Sequence, residues 1–170
     1  MSSQVGHKIK KRTKANDVFL TPLKLAKKHI DLIEFEDSDI WYDPFKNSGN
    51  YYNQFPNDNK LWSEILEDED FFEFTTEVDI ICSNPPYSMI NKVLEKSVSL
   101  KPRIISYLIG MGNLTTKRIE DMNKWGYGLK NIMMLKVNEW YGMSFIVTFE
   151  KGAGNCIDID RTIYYTDKES

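Results

Sequence analysis

The run Val78-Asp79-Ile80-Ile81-Cys82 passes through Ser83 into Asn84-Pro85-Pro86-Tyr87, and this stretch constrains the fold more than any other. An almost continuous apolar run of this length predicts a central parallel strand covered on both faces. Two adjacent prolines cannot donate ladder hydrogen bonds, and they fix two successive φ angles, so the strand must stop in a stiff corner. A second corner follows the same rule: Asp43-Pro44-Phe45, with Ser48-Gly49 downstream, closes the apolar Ile40-Trp41-Tyr42.

The remaining pattern alternates between the two periods. Thr21-Pro22 is a good helix start, and Leu23, Leu25, Ala26, Ile30 and Ile33 predict a helix running to about Glu36. KLWSEI, beginning at Lys60, predicts a strand, and the acidic stretch 66–74 is irregular or a single helical turn. Residues 88–100 predict a helix, 103–110 a strand, and 115–128 a helix closed by glycines. Strands follow at 131–137 and 144–151, with a terminal strand or hairpin over 155–165. Strands alternating with helices predict an α/β sheet that binds ligands beyond the carboxyl ends of its strands.

The chain has 170 residues, of which 41% are hydrophobic and 13% aromatic, enough to bury the core of one domain. No stretch approaches the roughly 20 apolar residues that span a bilayer, and the N-terminus lacks the apolar core of a signal peptide. An intracellular, cytoplasmic protein is expected. Cys82 and Cys156 form no metal-type spacing and read as buried, reduced thiols. Met111, Met133, Met134 and Met143 read as core filling, and His7 and His29 as surface residues in a basic region. That region, residues 1–30, holds eight bases against Asp17 alone, whereas Glu64 to Asp79 carries eight acids and no base. Lys10, Lys11 and Arg12 would follow a phosphate backbone, or belong to a solvated tail.

Both proline corners fall on the same rim of such a sheet. The Asn84 amide oxygen and the Pro85 carbonyl are acceptors that together suit a planar amino group. Tyr87 offers an aromatic face to a flat heterocycle.

In this order the motifs resemble the adenine-specific DNA amino-methyltransferases that use S-adenosylmethionine, and the likeness runs from about Phe19 to Lys151. Asn-Pro-Pro-Tyr is shared with other amine, amide and guanine methyltransferases, while Asp-Pro-Phe points to the adenine branch. The resemblance implies a Rossmann-like class I methyltransferase sheet, mostly parallel with an antiparallel last strand and reduced helices. The charge asymmetry sets off a basic arm over 1–18, and the resemblance implies one methyltransferase-like domain over 19–170, expected without a separate target-recognition domain. By the same resemblance Phe19, Thr21 and Pro22 hold the methionine part of S-adenosyl-L-methionine. Asp43, Phe45 and Gly49 line the loop beside it, with the Asp43 carboxylate attracting the cofactor ammonium. Glu64 accepts the ribose hydroxyls, Asp70 accepts the cofactor's adenine amino group, and Phe71 packs on that ring. Asn84, Pro85, Pro86 and Tyr87 hold the target amine, with Tyr87 stacking on the base. Trp140 and Tyr141 sit where the family has a second aromatic wall; packing between the flanking strands is the competing reading. No metal is implied.

Two departures stand out. The family's glycine-rich loop is replaced by Lys46-Asn47-Ser48-Gly49, which sets a charge and a non-glycine residue beside a cationic cofactor. The interval from Asp43 to Asn84 leaves little room for helices around the strands between them. The economy is that of phage or viral members, and the partners implied are DNA or RNA, with a partner subunit or a second copy for target recognition. A catalytically silent binding protein and a methyltransferase acting on RNA or protein glutamine are the alternatives.

Overall fold

Trp41, Ile80 and Ile104 lie abreast on three neighbouring strands, and their neighbours Tyr42, Ile81 and Ile105 point to the opposite face. All six are almost fully buried, as expected where a sheet is covered on both sides. A computed structural model of the chain describes residues 20–137 and 140–161. Its elements in order are α1 (Leu23–Asp31), β1 (Trp41–Asp43), β2 (Lys60–Trp62), β3 (Ile80–Ser83), α2 (Ile90–Ser99), β4 (Ile104–Gly110), α3 (Thr116–Lys124), β5 (Tyr127–Leu135) and β6 (Ser144–Lys151).

The six strands form one sheet in the order β2-β1-β3-β4-β6-β5. The first four are mutually parallel, and β6 runs antiparallel between β4 and β5. Ala26, Ile30 and Ile33, from α1 and the chain just beyond it, cover Trp41, Ile80, Cys82 and Ile104 on one face. On the other, α2 and α3 cover Tyr42, Ile81, Ile105, Tyr107, Val147 and Phe149. Around β2 there is no α-helix: residues 44–59 contain one 3-10 turn, Tyr52–Gln54, and residues 63–79 contain two, Ile65–Glu67 and Phe71–Glu73. Aromatic packing stands in for the missing layer, with Tyr42 stacked on Phe74 at 4.2 Å between centroids and Phe71 wedged beside it.

Several expectations need correcting. The first helix ends at Asp31 rather than near Glu36; Ile33 stays buried after the chain has left the helix, so its apolar period outlasts the helical backbone. The fifth strand starts at Tyr127, four residues before its predicted start at Asn131, because Gly128 is a strand glycine rather than a helix terminator. A Cβ there would stand 2.0 Å from the Ala153 carbonyl oxygen, so only glycine lets residues 152–156 lie across the strand. Residues 154–161 form no strand, and Cys156 is exposed. Met111 and Met134 are exposed rather than core residues. No described helix is long and apolar enough to cross a membrane.

Candidate functional site

The chain leaves β1 to form β2 on one side and returns to form β3 on the other. That reversal is a topological switch point, and the carboxyl ends of β1 and β3 beside it are the general ligand position in open α/β sheets. The two proline corners begin there: Asp43 is the last residue of β1, and Ser83, preceding Asn84, is the last of β3.

Asp43 is completely buried. Its Oδ1 accepts from the Ser83 hydroxyl at 2.6 Å and from the Phe45 amide at 3.2 Å. Its Oδ2 is buried without a hydrogen-bond partner. Burial pushes the carboxyl up to about 7, against the pull of Ser83 and of the Phe45 and Tyr52 amides. A buried carboxylate oxygen with an unmet acceptor suits a cation or a strong donor arriving from outside.

The loop after β1 adopts the turn that the altered glycine position needs. Asn47 has φ 50°, in the left-handed region that Asn tolerates, and its amide donates to Glu64 Oε2 at 2.8 Å. Gly49 has φ 87°, and a Cβ would stand 2.7 Å from Asn53 Nδ2. Lys46, the charge that seemed misplaced, is drawn aside: its ammonium meets both oxygens of Glu67 at 2.9 and 3.0 Å and lies 3.8 Å over the Trp62 ring.

Around this loop the other marked residues gather. Half-buried Glu64 caps the turn that follows it through the Leu66 amide at 3.1 Å. Asp70, nearly buried, caps the next through the Phe72 amide at 2.9 Å. Phe45 meets Phe71 edge to face at 5.1 Å. Phe71 itself is 1% exposed and has no open ring face, so Phe45 and Phe72, both half-buried, form the accessible wall. Thr21 is buried just before α1, with Pro22 exposed at its start, and the Asn50 amide holds the Thr21 carbonyl at 2.7 Å. Asn84 Nδ2 donates to Thr21 Oγ1 at 3.3 Å, joining the second corner to the same helix end. Pro85 and Pro86 are buried, and Pro86 leads into the 3-10 turn Tyr87–Met89. The half-buried Tyr87 ring lies against Gly110 at the end of β4, where an added Cβ would be 3.6 Å away.

The loop between β5 and β6 opens on the same rim. The Met111 amide donates to the Met143 carbonyl at 2.9 Å, binding that loop to the end of β4. Trp140 is half-buried, whereas Tyr141 is fully exposed and does not pack between the strands. Phe19, Lys10, Lys11 and Arg12 lie outside the described residues.

Sequence reasoning passed over four contributors. Ser83 is the hydroxyl bridge between the corners. Asn50 and Gln54 fasten the loop after β1 to the start of α1. His29, read as a surface residue, is completely buried, hydrogen-bonded at 2.8 Å to both Tyr51 and Ser106, and burial lowers it to about 3. Its spacing of three from Ala26, on the buried stripe of α1, was the available signal.

No protein-family model and no curated protein matches the chain. Solved structures do. Residues covering 84% of the chain superpose on 74% of M. capricolum TrmK, solved with S-adenosylhomocysteine, at TM-score 0.61 and 7% identity. A chain of the E. cuniculi Mtq2–Trm112 complex, responsible for the methylation of the translation termination factor eRF1, matches over 81% of this chain and 99% of its own at TM-score 0.57 and 15% identity. A Vibrio vulnificus protein assigned as a modification subunit of a type I restriction enzyme matches over 89% of this chain at TM-score 0.56 and 9% identity. This chain spans about half of that subunit, 48%. The sheet is therefore the Rossmann-like methyltransferase fold.

Proposed function

We propose that the chain transfers a methyl group from S-adenosylmethionine to the exocyclic amino group of adenine in DNA. The observation that carries this reading is the pairing of the Asn84-Pro85-Pro86-Tyr87 corner with the buried Asp43 carboxylate at this switch point, linked through Ser83. The Asp43 Oδ2, buried and lacking a partner, fits the cofactor's ammonium. Thr21, Pro22 and Gly49 would shape the methionine end, with Phe19 preceding them. Glu64 keeps lone pairs for ribose hydroxyls beyond the two amides it caps, and Asp70 would accept the adenine amino group. Phe45, backed by Phe71, would press on the cofactor's adenine.

When bound, S-adenosylmethionine supplies an electrophilic methyl. The chain's own groups then position the nucleophile. The Asn84 amide and the Pro85 carbonyl accept from the target amino group and hold its nitrogen lone pair toward the donor. Pro86 stiffens the corner, and Tyr87 stacks on the base after it has left the helix, at a cost of a few kcal/mol in a duplex. Placement and fixed dipoles supply the rate, so no strong base is required. Trp140 and Tyr141 stand on the same rim, available as a second wall, and Lys10, Lys11 and Arg12 would follow the phosphate backbone, with a partner subunit or second copy completing target recognition.

A second reading, transfer to a protein glutamine or to RNA, is supported by the likeness to a chain of the eRF1-methylating Mtq2–Trm112 complex, since a carboxamide fits the same acceptors. Asp43-Pro44-Phe45 favours adenine. The test is calorimetric titration with S-adenosylmethionine, followed by transfer of labelled methyl to DNA, RNA and a glutamine-containing peptide. Label in adenine of DNA, lost in a folded Asn84→Ala protein, is the expected result. Label only in peptide or RNA selects the second reading, and absence of both binding and transfer overturns each.

A further inference from the structure

Two segments meet at the Tyr87 ring. The turn Tyr87–Met89 runs directly into α2, which begins at Ile90, and the ring faces Gly110 at the end of β4. The Asn113 side chain approaches the same point: its Nδ2 stands 3.3 Å from where a Gly110 Cβ would be, and the Tyr87 ring 3.6 Å. Arg118, in the first turn of α3, ties these segments together. It donates from Nε to Asn91 Oδ1 at 2.7 Å and from Nη1 to the Asn113 carbonyl at 2.8 Å.

Both of those acceptors are neutral. Among the described residues Arg118 makes no ion pair, whereas Arg103 meets Asp39 and Arg161 meets Glu120. The acids of its own helix are committed elsewhere, Glu120 to Lys124 and Arg161, and Asp121 to Lys117. Arg118 shares the wall of an apolar cavity with Ile90, Leu94, Leu114 and Phe149. Burial there pulls the guanidinium below its ordinary value, with no acid to offset it. A partly desolvated cation held by neutral acceptors gains most from an anion, and the planar fork suits a phosphate. Its Nη2 meets no acceptor among the described residues and is not enclosed, so it is left for one.

We propose that Arg118 binds a phosphate of the target strand beside the base that stacks on Tyr87, with Asn91 and the Asn113 carbonyl aiming its fork. A nucleotide presents a ring face and, one sugar away, a phosphodiester. Tyr87 meets the first and Arg118 the second, so the phosphate contact sets the position of the base. The inference rests on the reading of Tyr87 as the platform for a nucleic-acid base.

The probe is a fluorescent single-stranded oligonucleotide with one adenine among thymines, titrated with the full chain over a range of salt concentrations. Log affinity falls with log salt by about 0.7 for each phosphate neutralised on a single strand. Arg118→Gln should weaken binding about tenfold at low salt and reduce that slope by about 0.7. Arg118→Lys keeps the charge but not the fork, so it should lose about threefold with the slope retained. Replacing the two linkages that flank the adenine by neutral methylphosphonates should cost the parent about tenfold and Arg118→Gln less than about twofold. Thermal scans establish that each variant is folded. If Arg118→Gln is not, Arg118→Met, which keeps the apolar stem, takes the same measurements. An arginine that only braces the Tyr87 segments would weaken binding while leaving the slope and the methylphosphonate penalty at their parent values, and that result overturns the proposal. A parent chain that binds neither oligonucleotide, or that methylates only a peptide, defeats the functional reading and this inference with it. A parent that methylates DNA, with an unchanged slope in the folded Arg118 variant, defeats the inference alone.

Discussion

The Ser83 hydroxyl donates a 2.6 Å hydrogen bond to Asp43 Oδ1, and both residues are completely inaccessible to solvent. This bond joins the carboxyl ends of β1 and β3 across the point where the sheet reverses its winding. It satisfies one carboxylate oxygen, while Oδ2 remains without a partner. Desolvation therefore outweighs the donors, and the carboxyl is held up at about 7.

Stability should consequently fall as pH rises through the interval between the unfolded and folded values. An unfolded aspartate ionises near about 3.9, whereas folded Asp43 keeps its proton to about 7. Within that window the folded chain binds a proton that the unfolded chain lacks, so each added pH unit costs up to about 1.4 kcal/mol from this group. Above the folded value the loss is complete. Asp43→Asn cannot ionise, and urea unfolding at pH 5 and pH 8 should show a smaller decline than in the parent. An unchanged pH slope in the variant would exclude Asp43 as its source.

Binding of S-adenosylmethionine should run the other way. With Asp43 in its proposed role, the cofactor's ammonium would favour the ionised carboxylate, so affinity should rise through about pH 7 and level off above it. Ser83→Ala removes a donor that lowers the Asp43 pKa, and the binding midpoint should move to higher pH. Calorimetric titrations from pH 6 to 9 read both curves. Coincident midpoints would show that Ser83 does not act through the carboxylate.

Asn47 tests whether the loop's departure from glycine is benign. At φ 50° the residue sits where β-branched side chains are strained, while its amide, present in any residue except proline, meets Glu64. Asn47→Gly should change stability by less than about 0.5 kcal/mol, and Asn47→Val should cost about 1–2 kcal/mol. Denaturant midpoints of the two variants measure the contrast, and equal midpoints would mean that the loop relaxes out of the left-handed turn.

Apolar runs made the central sheet legible. Ile80–Ser83 and Ile104–Gly110 needed no partner to be recognised as buried strands, and the proline corners fixed where the first of them stops. The thin side of the sheet was legible too, since the interval from Asp43 to Asn84 leaves little room for helices around β2. Less visible were features that depend on contacts distant in sequence. His29 lies beside lysines in the chain, but Tyr51 and Ser106 reach it from a loop and from another strand. Gly128 looked like a helix end because the segment pressing on it, at Ala153, comes 25 residues later. Phe71 matched a cofactor-stacking position by its neighbours in sequence, yet Tyr42, Phe45 and Phe72 enclose its ring.

Tyr87 separates a stacking platform from simple packing. Its ring lies against Gly110, and its hydroxyl reaches the Leu108 carbonyl only at 3.5 Å, a long contact. Removing that hydroxyl in Tyr87→Phe should cost about 1 kcal/mol of stability or less and leave the ring face intact, so KM for the adenine substrate should stay within about threefold. Tyr87→Ala removes the face itself. Stacking of a base on an aromatic ring contributes about 1–3 kcal/mol, so KM should rise about 10- to 100-fold in the alanine variant. If the ring serves the core alone, the alanine variant melts earlier while its KM remains that of the parent, which a thermal scan and a substrate titration on the same sample would distinguish.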